Sequence, residues 1–272
     1  MMESKGKSGI DTRRSWAMLV KKAMSAPTPS ISVIVVCKNP GPRLPDALNS
    51  VWTQRGINAE LVVIDGGSSD GSREWLESQA TRIATLVSEP DGGIYEAMNK
   101  GLAAARGEWI LFLGSDDRLA GDSVLCEAAE WLKGRAAGVA AGEARYDDGR
   151  VYKLPARVNP RARNFVHHQA TFYHRGLFAE NGAFDVSLAV MGDYDFNLRL
   201  WQKRVDFQAL PLRIAACGTR GLSDSGRWRG YAEEIRVRHR YFAWWRCLPW
   251  DAASAVRWLR KQFVHLAQSV RS

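Results

Sequence analysis

The chain has 272 residues, 46% of them hydrophobic, and a formal net charge of +9. This length and apolar content fit one large α/β domain or a domain with an appendage. No apolar run approaches the roughly 18 residues of a membrane-spanning helix. The polar, basic N-terminus has no apolar signal-peptide core, which predicts a cytoplasmic protein.

Four cysteines without paired spacing predict reduced, buried thiols, not a disulfide framework or a zinc site. They are Cys37, Cys126, Cys217 and Cys247.

The positive charge is concentrated at the two ends of the chain. Residues 1–30 carry six Lys/Arg and two acids, residues 227–272 carry ten and three, and the 196 residues between have a net charge of −2. This pattern predicts basic appendages on a slightly acidic globular part and argues against a nucleic-acid-binding core. We therefore predict a basic extension over 1–30, a globular domain over 31–226 and a basic, Trp-rich helical segment over 227–272.

Strand and helix patterns alternate in the first part of the globular domain. Four apolar runs have the length and residue types of buried strands, and helical periodicity follows each of the first three. The runs cover 31–37, 61–64, 83–87 and 109–113. The alternation predicts a doubly wound, mainly parallel sheet with helices on both faces. Farther along we predict a hairpin around Asp148-Gly149, a short strand over 170–173 and a helix over 193–203.

Two adjacent carboxylates, Asp116 and Asp117, end the fourth apolar run. Ligands bind at the carboxyl ends of the strands in open α/β sheets. Carboxylates there are good ligands for a hard cation such as Mg²⁺ or Mn²⁺, which can in turn hold a diphosphate. The alternative is a solvated Asp-Asp loop that caps the next helix. The pair alone leaves both interpretations open.

Two further acids follow predicted strands. Asp65 ends the second run, where an acid can bind a ribose hydroxyl or a base. The residues after the first run, Lys38-Asn39-Pro40, lack the glycine-rich phosphate cradle of nicotinamide-cofactor enzymes. Asp91 opens a Gly-rich loop that runs into a helix, which fits a phosphate contact or an ordinary turn equally well.

Polar residues farther along have two interpretations as well. Asp193 and Asp195 lie around the start of a predicted helix, where the helix dipole favours acids. Their alternative role is that of a general base that takes a proton from a sugar hydroxyl. His167, His168 and Gln169 could contact a substrate, but without an acid at metal-ligand spacing they are better interpreted as polar residues at a strand end.

The order and spacing of these motifs resemble those of the family 2 glycosyltransferases, which have the GT-A fold. The matching segments are 31–37, 61–71, 88–101, 107–117, 168–173 and 192–196, so the resemblance extends to about residue 225. It implies an inverting enzyme that moves a single sugar from a nucleotide-diphosphate-sugar to a hydroxyl acceptor. The implied fold is a GT-A α/β domain with a C-terminal helical extension.

The resemblance also implies roles for individual residues. Asp117 and Asp116 would bind a divalent metal, Mg or Mn, and Asp193 would be the catalytic base. The implied nucleotide-sugar site consists of Asp65, Asn39, Asp91, Asn99, Asp116 and Ser223. The implied acceptor side consists of His168, Gln169 and Asp195. Two positions depart from the pattern, since many relatives have an acid where Gly66 stands and Glu where Gly192 stands.

The sequence thus predicts a cytoplasmic, metal-dependent transferase for polysaccharide or glycolipid assembly, acting on a carbohydrate or lipid-linked acceptor and not on nucleic acid. The Gln-x-x-Arg-Trp signature of processive synthases is absent, which favours single transfer over polymerisation. A nucleotidyltransferase is an alternative, although it would usually have a Gly-rich basic loop after the first strand. An inert nucleotide-sugar-binding module with the same fold is another, and the four acids together weigh against it.

The C-terminal segment has its own pattern. It contains five of the eleven tryptophans, and its apolar residues recur at helical spacing. These are Ala252, Val256, Leu259, Phe263, Leu266 and Val270. Arg257, Arg260 and Lys261 fall largely off this stripe. The pattern predicts a helix that lies on an anionic membrane at the inner face of the cell membrane, or one that packs on the domain, and both interpretations stay open.

Overall fold

The structure is a computed structural model that describes residues 30–135, 138–219 and 228–269, with side chains to residue 263. Several predictions concern residues outside these ranges. They are the basic extension up to residue 29, Ser223, the side chain of Leu266, and Val270.

The described residues contain nine strands, formed by apolar and β-branched runs. They are β1 (Ile31–Cys37), β2 (Ala59–Asp65), β3 (Thr85–Ser88), β4 (Trp109–Gly114), β5 (Arg118–Leu119), β6 (Val139–Tyr146), β7 (Val151–Tyr152), β8 (Thr171–His174) and β9 (Phe207–Cys217). They form one sheet in the order β3-β2-β1-β4-β8-β6-β9-β5, and β7 pairs with β6. The pair β6–β7 is the hairpin predicted around Asp148-Gly149.

Eight α-helices connect or flank the strands of the described residues. They are α1 (Leu44–Trp52), α2 (Ser72–Ser78), α3 (Ile94–Ala104), α4 (Val124–Leu132), α5 (Gly176–Asn181), α6 (Gly192–Gln202), α7 (Trp228–Tyr241) and α8 (Trp244–Ser269). Single 3₁₀ turns lie at Gly41–Arg43, Ala80–Arg82 and His168–Ala170. The predicted helix over 193–203 is α6, shifted by one residue.

Alternate residues of the central strands face two separate cores. In β1, Val33 and Val35 pack in a cluster with α1, α2 and α4, whereas Ile34 packs in a second cluster with α3, α5 and α6. This period of two is what a strand buried on both faces requires. Helices therefore cover both faces of the sheet, which confirms the predicted doubly wound α/β class.

The strand directions change after β4. β1 is parallel to β2 and β4, and β2 is parallel to β3, as predicted. Beyond β4 the sheet is mixed, because β8 is antiparallel to both β4 and β6 while β9 is parallel to β6. The parallel part arises where a helical crossover joins each strand to the next, as between β1 and β2, β2 and β3, and β3 and β4.

Strand β9 was not predicted, and Pro211 near its centre is the reason. A proline cannot donate a backbone hydrogen bond, so it argues against an internal strand. In the structure, the β6–β9 ladder shifts register between Ala141 and Glu143, opposite this part of β9. A local irregularity of this kind accommodates the missing donor.

The C-terminal segment forms two helices, and the predicted apolar stripe from Ala252 onward lies in the second, α8. α7 packs on α6, with Val237 fully buried in the same core cluster as the α6 side chains, and α8 packs on α7. Within the residues that the structure describes, no helix is both long and apolar enough to cross a bilayer.

Candidate active site

The carboxyl ends of the parallel strands bring the predicted acids to one edge of the sheet. Cys37 at the end of β1 pairs with Asp65 of β2, and β4 ends beside β1 at Gly114. The chain turns directly after β4, because the Asp117 N–H donates to the Gly114 carbonyl at 3.1 Å. Asp65 and Asp117 therefore lie on either side of the end of β1, where open α/β sheets bind ligands.

Asp117 has one satisfied and one unsatisfied carboxylate oxygen. Its side chain is buried, and Oδ1 accepts a hydrogen bond from the Gly218 N–H at 2.8 Å. Oδ2 is buried without a hydrogen-bond partner among the described residues, an arrangement that is unfavourable for a carboxylate. Burial and the charge of Asp116 raise the pKa of Asp117 to about 6, although Gly218 and the Gln169 side chain lower it.

A divalent cation fits this arrangement. It would supply the missing partner of Asp117 Oδ2, with the half-buried Asp116 adjacent to it. The described part of the chain contains no group of three His, Cys, Asp or Glu side chains able to hold a metal by themselves. Mg²⁺ is often bound by one or two carboxylates together with substrate phosphates and water. The donor set therefore suits a cation that binds together with a diphosphate.

Asp193 lies in the first turn of α6 and is held by four donors. Its Oδ1 accepts the Tyr194 N–H at 2.8 Å and the Tyr95 hydroxyl at 3.2 Å. Its Oδ2 accepts the Asn164 side-chain amide at 2.9 Å and lies 3.1 Å from His168 Nδ1. The residue is 8% exposed, so a small part of it remains accessible to solvent.

These contacts determine the protonation state of Asp193. Burial by itself would raise its pKa, but the hydrogen bond and charge of His168, followed by the Tyr194 N–H and the Tyr95 hydroxyl, lower the pKa below its ordinary value. The side chain is therefore an ionised carboxylate at neutral pH. Such a group can accept a proton from a hydroxyl within hydrogen-bond reach.

His168 and Gln169 connect the two acidic centres. His168 contacts Asp193, and the charge of His168 also acts on Asp117, together with the neighbouring Gln169 side chain. His167 lies behind them with its Nε2 at 2.6 Å from the Tyr146 hydroxyl. Burial and then His168 lower the pKa of His167 to about 3, so it is neutral. The sequence favoured polar strand-end residues here, whereas the structure brings them between Asp117 and Asp193.

Residues 32–188, more than half of the chain, match the family described as Glycosyl transferase family 2. The chain belongs to this family. It is 32% identical over 180 residues to a PGL/p-HBAD biosynthesis glycosyltransferase of Mycobacterium bovis, covering 63% of this chain and 69% of that protein. It is 34% identical over 181 residues to an uncharacterized glycosyltransferase of Mycobacterium tuberculosis, covering 63% and 68%.

Solved structures share the GT-A fold of this glycosyltransferase. S. aureus TarS 1–349 in complex with UDP-GlcNAc superposes with a TM-score of 0.63 at 19% identity, covering 86% of this chain and 73% of that one. The mannosyltransferase PcManGT from Pyrobaculum calidifontis, in complex with GDP-Man and Mn²⁺, gives 0.58 at 18% identity, covering 94% and 87%. The chain spans 43% of the longer TarS structure.

One segment of this glycosyltransferase explains both departures from the family pattern. Asp91 Oδ2 lies 2.3 Å from the position that a Cβ on Gly66 would take, and the Tyr95 ring lies 2.8 Å from the corresponding position on Gly192. Neither glycine can gain a side chain unless its neighbour moves. Asp91 thus brings a carboxylate next to Gly66, and Tyr95 reaches Asp193.

Asp65 and Asn39 brace the loop after β2. Asp65 is fully buried. Its oxygens accept hydrogen bonds from the Ser68 N–H at 3.2 Å and from the Ser88 hydroxyl at 2.6 Å. The Asn39 side-chain oxygen accepts the Ser69 N–H at 2.8 Å, and the Asn39 backbone N–H donates to the Ser68 hydroxyl at 2.8 Å. A nucleoside contact by Asp65 would require one of these hydrogen bonds to be exchanged.

The side chains of Asn99 and Asp195 contact other parts of the protein in the structure. The Asn99 amide donates to the Phe184 carbonyl at 2.9 Å and accepts the Phe184 N–H at 3.0 Å, so both of its polar ends hold the protein backbone. The Asp195 carboxylate is occupied by neighbours on three sides. They are Arg199 at 3.2 Å, Arg240 at 3.0 Å and the Tyr241 hydroxyl at 2.9 Å. Asp195 therefore connects α6 to α7.

Helix α7 holds the surroundings of Asp193, which the sequence did not predict. The Glu233 carboxylate accepts the N–H groups of the residues just before α6. They are Ala189 at 3.1 Å, Val190 at 2.8 Å and Met191 at 3.2 Å. Arg238, fully buried, donates to the carbonyls of 161 and 162, close to Asn164. No motif or periodicity distinguishes Glu233 or Arg238 from the other charged residues of this helix.

Proposed function

We propose that this glycosyltransferase is an inverting, metal-dependent enzyme that moves one sugar from a nucleotide-diphosphate-sugar to a hydroxyl group. The observation that carries the proposal is the pair of acidic centres joined by His168 and Gln169. One centre is Asp117, with its unpartnered buried oxygen, and the other is the ionised Asp193. A single displacement needs a cation-binding group for the leaving diphosphate and a separate base for the acceptor.

Asp193 is the proposed base. As the acceptor oxygen attacks the anomeric carbon, its proton passes to the Asp193 carboxylate and the bond from sugar to diphosphate breaks. Tyr95, Asn164 and His168 keep the carboxylate oriented during this step. One attack from the face opposite to the leaving group inverts the anomeric configuration, whereas a two-step route through a covalent intermediate would retain it.

Asp117 and Asp116 are the proposed ligands of Mg²⁺ or Mn²⁺. When bound, such a cation stabilises the negative charge that develops on the leaving diphosphate. The unpartnered Oδ2 of Asp117 supports this role, as does the Mn²⁺ in the complex of the mannosyltransferase PcManGT.

Asp91 is the proposed acid for the nucleoside, in preference to the enclosed Asp65. It is half-buried, and its Oδ1 accepts the Gly93 N–H at 3.1 Å. The complexes of TarS with UDP and UDP-GlcNAc support a nucleotide-sugar donor of this general class. Ser223, outside the described residues, stays a predicted contact of the phosphates.

The proposed acceptor is a carbohydrate or a lipid-linked molecule in polysaccharide or glycolipid assembly, with His168 and Gln169 on its side of the cleft. The name of the M. bovis relative, a PGL/p-HBAD biosynthesis glycosyltransferase, supports this class. The proposed location is the cytoplasm, at the inner face of the cell membrane.

A panel of nucleotide sugars tests the proposed function. The purified protein is incubated with each donor, with and without Mn²⁺, and thermal stability and released nucleotide are measured. We expect one donor class to raise the melting temperature only when Mn²⁺ is present, and slow release of nucleoside diphosphate from that donor. Release of pyrophosphate from a nucleoside triphosphate and a sugar phosphate would indicate a nucleotidyltransferase instead.

The Glu233→Gln substitution tests how α7 supports the proposed base. Burial alone would raise the pKa of Glu233, but three backbone N–H donors lower it, so an ionised carboxylate holds the entry to α6. The glutamine amide would direct N–H groups at those donors. We expect kcat to fall roughly tenfold or more, as for other lost supporting contacts, while donor affinity measured by titration stays within a few-fold.

Arg229→Gln is the matched control for this prediction. It removes only a 70% exposed side chain that pairs with Glu233 at 3.3 Å, and kcat should stay unchanged. Both variants are assayed well below their melting temperatures. A Glu233→Gln protein that melts earlier but keeps the wild-type kcat would contradict the positioning role.

A further inference from the structure

The long C-terminal helix α8 turns apolar side chains away from the protein. Six large ones in its described part are between 46% and 69% exposed. They are Trp244, Trp245, Leu248, Val256, Leu259 and Phe263. The side chains from Trp245 onward, together with the exposed Ala252, recur every three or four residues. They therefore share one side of the helix, which we call the apolar face of α8. Packing on the domain is therefore excluded for Val256, Leu259 and Phe263.

The opposite side of α8 packs on α7, where polar groups lie beside the buried Cys247 and the Trp258 ring, which contacts Trp228 of α7. Ser254 is fully buried, and its hydroxyl lies 3.0 Å from Glu234. Arg257 pairs with Glu234 at 2.6 Å, and Asp251 pairs with the buried Arg238. The usual arrangement of a surface helix is thus reversed, because the polar side faces the protein and the apolar side faces out. Contiguous exposed apolar surface of this kind marks an interaction site.

The charges around the apolar face are cationic. Residues 228–263 contain eight Lys/Arg and three acids. All three acids are turned inward, since Glu233 and Glu234 are buried and Asp251 is held by Arg238. Arg246 and Arg260 of α8 are exposed. The surface that surrounds the apolar side chains therefore presents cations while its acids are enclosed.

We propose that the apolar face of α8 binds the surface of an anionic bilayer and lies in its plane. Tryptophan, leucine and phenylalanine side chains enter the boundary between headgroups and acyl chains, and flanking arginines bind anionic headgroups. A second copy of the chain fits less well, because joining two such faces would bring cationic surfaces together. At this location the enzyme could reach a lipid-linked acceptor, and this part of the inference rests on the proposed function.

Sedimentation with vesicles tests the proposal on the full chain. The vesicles are phosphatidylcholine with increasing fractions of phosphatidylglycerol, at low and high salt. We expect binding to rise with the anionic fraction and to weaken with salt. Arg246→Gln with Arg260→Gln should weaken binding by about five-fold for each arginine removed, and Trp245→Ser with Phe263→Ser should weaken it at every lipid composition.

Matched controls lie elsewhere on the surface. Val186→Ser removes a 60% exposed apolar side chain, and Lys133→Gln removes an exposed cation directly after α4, so neither should change vesicle binding. Nucleotide release measured without vesicles should be the same in all these variants, which separates this test from that of the proposed function.

Two results would overturn the proposal. One is the absence of sedimentation with any vesicle composition. The other is vesicle binding that the Trp245→Ser and Phe263→Ser pair leaves unchanged. If the wild type instead forms a dimer in solution that this pair dissociates, the apolar face of α8 is a contact between copies of the chain.

Discussion

Asp193→Asn should reduce turnover by roughly 10²–10⁴-fold, the usual range for the loss of a general base. The substitution keeps the size of the side chain and removes its basicity. Donor binding should stay within a few-fold, because the contacts of Asp193 are to Tyr95, Asn164, His168 and Tyr194. Turnover is measured at saturating donor and acceptor, and donor affinity by titration.

Asp195→Asn is the control for this substitution. Its carboxylate pairs with Arg199 and Arg240. The substitution should therefore lower the melting temperature, and it should reduce turnover less than Asp193→Asn does. An equal or larger loss of turnover at Asp195 than at Asp193 would move the base to Asp195 and contradict our assignment.

Asp117→Asn should lower the rate of transfer strongly and, in the absence of metal, raise the stability of the protein. Transfer should fall by about 10³-fold or more, because a bound cation contributes several kcal/mol of transition-state stabilisation and each 1.4 kcal/mol is tenfold. The stabilisation by nucleoside diphosphate with Mn²⁺ should disappear. Without metal, however, the variant should be more stable than the wild type at neutral pH.

The sign of the stability effect follows from the pKa of Asp117. It is about 6 in the folded protein against 3.8 for the ordinary carboxyl, so the folded state binds more protons than the unfolded state between these values. The free energy of unfolding therefore falls as the pH rises from about 4 to 6, and stays lower above 6. Asparagine removes this loss, which is about 3 kcal/mol.

Thermal unfolding in the presence of a chelator checks the prediction. The gain in melting temperature should be largest above pH 6 and vanish towards pH 4. Asp122→Asn, an exposed acid paired with Arg55 at 3.2 Å, should show neither the gain nor the loss of transfer. An Asp117→Asn variant that transfers sugar at the wild-type rate would remove the basis for a metal at this position.

The acids at strand ends were predictable because the signal is local. An apolar run such as Ile31–Cys37 or Trp109–Gly114 predicts a buried strand, and the polar residue that follows it marks the edge of the sheet. Asp65 and Asp117 lie at this edge as expected. Such patterns do not show how many hydrogen bonds a polar side chain already makes within the protein. Asp65 and Asn99 were therefore expected to face a ligand, although both side chains are hydrogen-bonded to other residues of the chain.

The environment of Asp193 depended on the tertiary structure. Its partners His168, Asn164 and Tyr95 are 25, 29 and 98 residues away in the sequence. Tyr95 comes from α3, whereas Asn164 and His168 come from the connection between β7 and β8, and no periodicity relates them to Asp193. Glu233 is likewise 42–44 residues from the backbone groups that it binds. Such contacts form only when the elements pack, so residue types and spacing do not reveal them.

For the C-terminal helix α8, the sequence determined which residues share a side, and the tertiary structure determined where that side points. Periodicity by itself determined that Val256, Leu259 and Phe263 share one side of a helix, because 3.6 residues make a turn whatever surrounds it. It did not determine the direction of that side, since apolar faces usually point inward. The direction was decided by ion pairs from α7, in which Glu234 and Arg238 bind the polar side of α8. With its charges neutralised by these partners, the polar side is the one that is buried.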